Sequence, residues 1–135
     1  MLALPFEAGS FDVATVGFGV RNVADLAAAL AELRRVLRPQ GRVGILEITT
    51  PTGVLAPFYR LWFDRVIPLL GRALKGGAAY TYLPASVRRF PPPEQLAELM
   101  RSAGFEEVEY RKFAGGIVAL HTAIVGASSR SEEGR

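Results

Sequence analysis

The chain has 135 residues, enough for one domain with a moderate buried core, and a half-hydrophobic composition with 21% charged residues excludes a disordered protein. The net charge of +3 is mildly basic, but Arg and Lys are scattered apart from Arg34-Arg35-Arg38 and Arg88-Arg89. With no stripe and no aromatic interleaving, they read as solvated surface and not as a nucleic-acid site. The lack of cysteine excludes disulfides and thiolate metal sites, and the single histidine excludes a multi-His zinc site.

The N-terminus has no signal-peptide pattern, and no 18-residue apolar run is free of charge. The expectation is a cytoplasmic protein that can touch a membrane surface. Residues 4–10 combine Pro, Gly and Ser and read as a loop. Phe11 to Val16 is a short apolar stretch consistent with a buried strand, ending where Gly17-Phe18-Gly19 must turn. Asn22 or Asp25 can cap the helix that follows, in which Leu26, Leu30, Leu33 and Leu37 form one apolar face. Pro39 and Gly41 should stop that helix. Val43 to Ile48 is nearly continuous apolar sequence, the mark of a strand covered on both faces.

Strand, helix, strand in this order predicts a parallel unit and an α/β fold. From Leu55 to Leu74 the spacing is helical again, and Pro68 should kink or split the helix by removing a donor and crowding residue 64. That segment reads first as core, although Phe58, Tyr59, Trp62 and Phe63 could instead line a pocket. A Gly- and Pro-rich loop from Gly76 to Pro93 carries Tyr80 and Tyr82. Glu94 to Ala103 reads as a helix ended by Gly104, and two strands close the chain near Glu106–Lys112 and Ile117–Gly126. One domain is expected over 1–126, with 127–135 a disordered polar tail.

In an open parallel sheet, ligands bind beyond the C-terminal ends of the strands. Two segments qualify, Gly17 to Asn22 and Glu47 to Pro51. Gly17-Phe18-Gly19 is no dinucleotide fingerprint, since Asn22 stands where the third glycine belongs. Arg21 could stabilise an oxyanion through paired donors, or form a surface salt bridge. Asn22 could orient a substrate oxygen or cap the helix. His121 is the one side chain with an ordinary pKa near neutrality, and a hydrogen-bonded structural histidine is the rival reading. Glu47 could act as a base or acceptor, with a salt bridge the plainer alternative.

Taken in order, the motifs resemble the ubiquinone/menaquinone biosynthesis C-methyltransferase family, a class I S-adenosylmethionine-dependent group. They are Leu4-Pro5-Phe6, Ser10-Phe11-Asp12, Phe18-Gly19-Val20-Arg21-Asn22-Val23, Arg35-Val36-Leu37-Arg38-Pro39, Leu46-Glu47, Ala79-Tyr80-Thr81-Tyr82-Leu83-Pro84, Phe90-Pro91 and Gly115-Gly116-Ile117 with His121. The resemblance covers about residues 1 to 124. It implies the C-terminal half of a Rossmann-like sheet, with parallel strands, a terminal antiparallel strand and flanking helices. It implies methyl transfer from S-adenosylmethionine to a ring carbon of a prenylated quinol, as in demethylmenaquinol to menaquinol. Arg21 and His121 would be catalytic, Met1, Gly17, Phe18 and Gly19 would touch the cofactor, and Asn22, Tyr59, Tyr80 and Tyr82 would touch the quinol.

The glycine-rich cofactor loop and the ribose-binding acidic residue of such enzymes have no counterpart here. The expectation is therefore a truncated chain, inactive alone, that binds S-adenosylmethionine weakly or not at all. Its first strand would be an exposed apolar edge that invites a missing N-terminal half or self-association. A non-catalytic quinol-binding or scaffold module is the alternative. A basic nucleic-acid module ranks last, since it would require steep salt dependence of binding.

Overall fold

A computed structural model of the chain describes residues 2–49, 54, 56–73 and 89–127. Met1, Tyr80, Tyr82 and the polar tail from residue 128 lie outside the described residues. Four strands, β1 (Phe11–Gly17), β2 (Leu37–Ile48), β3 (Phe105–Phe113) and β4 (Val118–Val125), form one sheet in the order β1-β2-β4-β3. β1 and β2 run parallel through the crossover helix α1 (Leu26–Val36), and β4 lies antiparallel to both β2 and β3. The expected arrangement of parallel strands with an antiparallel last strand is therefore present, and β1 stands at the sheet's edge with Val13 and Phe11 exposed.

Helix α1 starts where expected. The Asp25 carboxylate accepts the Ala28 N–H at 3.0 Å, so Asp25 and not Asn22 is the cap. Its end differs from expectation. The helix stops at Val36 and β2 begins at Leu37, already extended, six residues before the apolar run. Pro39 disfavours helical backbone at Arg38 and has no N–H to give, so Leu37 leaves the helix and packs into the core from the strand. The segment then loops back on itself, as pairing jumps from Phe11↔Leu37 to Val13↔Arg42 with Gln40 at φ +66°. Only glycine fits at position 41, where an added Cβ would lie 2.7 Å from the Arg38 carbonyl oxygen.

Beyond this kink β2 alternates cleanly, with Val43, Ile45, Glu47 and Thr49 buried on one face. That face carries the core, in which Leu30 and Leu33 of α1, Leu96 and Met100 of α4 (Pro93–Ser102), Phe105 and Val125 meet. Gly104, at φ +95°, turns the chain from α4 into β3. The opposite face is open among the described residues, with Val13, Thr15, Arg42 and Thr122 exposed.

The segment expected to be one kinked helix is α2 (Ala56–Leu61), a π turn at Trp62–Val66, and α3 (Ile67–Ala73). Ile67 donates its N–H to the Trp62 carbonyl, and the widened turn relieves the crowding that Pro68 imposes on residue 64. The expectation that this segment is core is overturned. Phe58 is 71% exposed and Trp62 53%, and Leu61, Leu69 and Leu70 are also exposed.

Candidate active site

The parallel pairing of β1 and β2 brings their C-terminal ends side by side, with Gly17 opposite Leu46. Phe18 continues the ladder for one bond, its N–H donating to the Leu46 carbonyl at 2.8 Å, and then turns away at φ +55°. A single 3-10 turn, Val20–Asn22, follows before α1. Arg21 sits on this turn, and Glu47 is the last but one residue of β2.

The two residues are locked together. Glu47 Oε2 accepts the backbone N–H of Arg21 at 3.0 Å, and Oε1 accepts from Arg21 Nη1 at 2.7 Å. Nη1 also donates to the Phe18 carbonyl at 2.7 Å. Glu47 is 1% exposed and the Arg21 side chain 11%, while Arg21 Nε is buried without a hydrogen-bond partner. The salt bridge expected at the surface for Arg21 is therefore a buried one, where removing either partner leaves an uncompensated charge.

Arg21 opens onto a cleft of about 420 Å³. Asn22, Val23 and Leu26 line one side, and Arg89, Phe90 and Pro91 line the other. The volume falls in the range of small-molecule sites. Arg21 and Asn22 are thus brought together at the cleft, whereas Gly17, Phe18 and Gly19 form a lip at the end of β1 outside the cleft's lining. Open space surrounds the point where a Gly17 side chain would begin, and Phe18 is exposed.

His121 lies elsewhere. It is 1% exposed on β4, opposite Ile45 and Tyr110. Its Nε2 is 2.9 Å from the Pro93 carbonyl, so Nε2 carries the proton and donates. Nδ1 is buried without a partner, and the ring stacks on Tyr110 at 5.3 Å. Burial pushes its pKa below the ordinary value, opposed in part by the Pro93 bond and the Glu94 charge. The crevice between His121, Glu47, Thr49, Phe90 and Pro91 is too narrow for a water molecule. His121 is thus a buried, hydrogen-bonded histidine within the sheet, and among the described residues it does not line the cleft beside Arg21.

Tyr59 donates to the Thr49 carbonyl at 3.3 Å, and burial pushes its pKa up to about 12. It is a donor at neutral pH and no base. Arg89 and Phe90 are cleft residues that the sequence reading did not assign, although Phe90-Pro91 stood among the family motifs. Among the described residues, no group of three His, Asp or Glu could hold a metal ion, and no helix is long and apolar enough to cross a membrane.

A sequence model of the ubiE/COQ5 methyltransferase family matches residues 1–125. The chain belongs to that family. A demethylmenaquinone methyltransferase of Roseiflexus castenholzii is 50% identical over 125 residues, covering 91% of this chain and 52% of the relative. A ubiquinone/menaquinone biosynthesis C-methyltransferase UbiE of Brucella canis is 46% identical over 121 residues, covering 88% of this chain and 45% of the relative. The chain thus spans about half the length of the curated relatives it matches. Among solved structures, a SAM-dependent methyltransferase of Thermotoga maritima, a possible histamine N-methyltransferase by its description, superposes with a TM-score of 0.64. It is 21% identical and covers 91% of this chain and 60% of that one, a likeness that shows the fold. For a ubiE/COQ5 family member the Phe-Gly-Val-Arg-Asn segment and Glu47 meet at the strand ends, where ligands of open α/β sheets bind.

Proposed function

We propose that this chain forms the quinol-facing part of an S-adenosylmethionine-dependent C-methyltransferase acting on a prenylated quinol. One observation carries the reading. A guanidinium fixed on Glu47 and the Phe18 carbonyl lines a cleft at the ends of two parallel strands.

A quinol ring carbon becomes a nucleophile when a deprotonated ring oxygen pushes electron density into it. Arg21 favours that phenolate through charge-assisted hydrogen bonds in a site of low dielectric. It does not itself take the proton, because a guanidinium stays protonated to a pKa above about 12. Water at the cleft carries that proton away, and the proton displaced from the methylated carbon returns to the ring oxygen as the ring regains aromaticity. Asn22 orients the ring and Tyr59 adds a quinol contact, while Tyr80 and Tyr82, assigned to the quinol by resemblance, lie outside the described residues. His121 supports the Pro91–Pro93 wall.

When bound, S-adenosylmethionine supplies an electrophilic methyl group on a sulfonium. Gly17, Phe18 and Gly19 fit a share of its contacts, since an exposed main-chain lip with open space at Gly17 admits a bulky neighbour, and Met1 would lie near the adenine. No Gly-x-Gly-x-x-Gly occurs in the chain. The reading therefore includes weak cofactor binding by this chain alone, with the other contacts coming from a further segment that pairs with the free edge of β1. Without such a segment, that edge invites self-association.

Exposed Phe58, Trp62 and Leu69, interspersed with Arg60, Arg65 and Arg72, support contact with the bilayer surface where a prenylated substrate resides. Calorimetric titration of the folded chain with S-adenosylmethionine tests the cofactor part. The expected result is no saturable heat at micromolar concentration, and micromolar binding would refute the account of the glycine loop.

A further inference from the structure

A carboxylate buried as deeply as Glu47 needs partners for its oxygens. Both oxygens reach Arg21, Oε2 its main chain and Oε1 its guanidinium, and Oε1 also accepts the Ile48 N–H at 3.3 Å. A carboxylate that only neutralised Arg21 would need only the second contact. The first holds the 3-10 turn that also displays Asn22. Both protons of Nη1 are committed, one to Glu47 and one to Phe18, which fixes the rotation of the guanidinium plane. The buried Nε is left without a partner on that plane.

We propose that Glu47 is a positioning residue for Arg21, clamping its main chain and one amino group so that the remaining guanidinium donors meet a deprotonated ring oxygen in one orientation. This rests on the reading of the cleft as a quinol site. The proposal has a sign that a bare counter-charge lacks. The negative charge of Glu47 opposes a bound phenolate, so neutralising it without moving Arg21 would tighten phenolate binding. If Glu47 acts by position, neutralising it loosens phenolate binding instead.

The test uses the full chain and 4-nitro-1-naphthol, whose phenolate form is followed by its visible absorbance, with the O-methyl ether as a control that cannot ionise. Glu47→Gln is expected to weaken phenolate binding about tenfold or more, equivalent to one charge-assisted hydrogen bond, and to leave ether binding unchanged. Arg21→Met should show the same pattern. Equal or tighter phenolate binding by Glu47→Gln, with Arg21→Met impaired, overturns the positioning role and leaves the quinol reading standing. Unchanged binding in Arg21→Met overturns the quinol reading itself.

Should Glu47→Gln fail to fold, the wild-type chain still decides. A clamped Arg21 gives a slowly exchanging Nε–H cross-peak that shifts on addition of the probe. A fast-exchanging peak that ignores the probe overturns the proposal.

Discussion

Replacing His121 by Phe separates titration from packing. The ring stays in the sheet against Tyr110, at the site where the imidazole stacks at 5.3 Å, and the Nε2–H bond to Pro93 is lost. At about pH 8 the loss is about 1 kcal/mol, the net worth of one hydrogen bond. Acid adds a second effect. Burial holds the His121 pKa below its ordinary value, so the unfolded chain takes up a proton that the native chain refuses. The stability tied to the neutral ring is complete above about pH 6.5 and is lost as pH falls toward the folded-state pKa, at up to about 1.4 kcal/mol per pH unit.

His121→Phe has no such proton to bind. Relative to the difference at about pH 8, the variant should therefore gain up to about 1.4 kcal/mol on the wild type by about pH 5.5. Urea unfolding of both proteins at the two pH values measures this, and the carboxylates titrate alike in both and cancel. A difference that does not change with pH would refute the buried neutral histidine.

Leu96 is fully buried between α4 and the sheet, and Leu96→Ala should cost about 2–5 kcal/mol by urea unfolding. Asp25→Ala removes the cap on Ala28 and should cost about 1 kcal/mol without moving the sheet's hydrogen-exchange protection. The single tryptophan, Trp62, lies on the exposed apolar face of α2 and its π turn. Its emission should shift to the blue with anionic vesicles and much less with zwitterionic ones, and no shift with either contradicts bilayer contact.

Much of the fold was legible because local chemistry controls it. The Leu30 and Leu33 face of α1, the Asp25 cap, the strand pair around it and the break imposed by Pro68 all follow from spacing and backbone rules. The early start of β2 was not, because Pro39 and Gly41 mark the end of a helix equally well whether a loop or a kinked strand follows. For the 55–74 segment, periodicity defines an apolar face but not what covers it, and that face is exposed here. The lip and the pair Arg21-Asn22 were legible as a strand end beside a helix start. The Glu47 clamp was not, since it joins residues 26 apart across a crossover. Nor was the His121–Pro93 bond, because a main-chain acceptor leaves no mark in the sequence.

The central claim is that Arg21 serves methyl transfer to a quinol carbon. Its most direct test joins this chain to the unmatched part of the Roseiflexus castenholzii relative and follows labelled methyl from S-adenosylmethionine to a short-chain demethylnaphthoquinol. The account predicts label on a ring carbon in the parent chimaera, and a large loss of rate in Arg21→Met with cofactor binding intact. No label, label on oxygen, or full activity in Arg21→Met would contradict it.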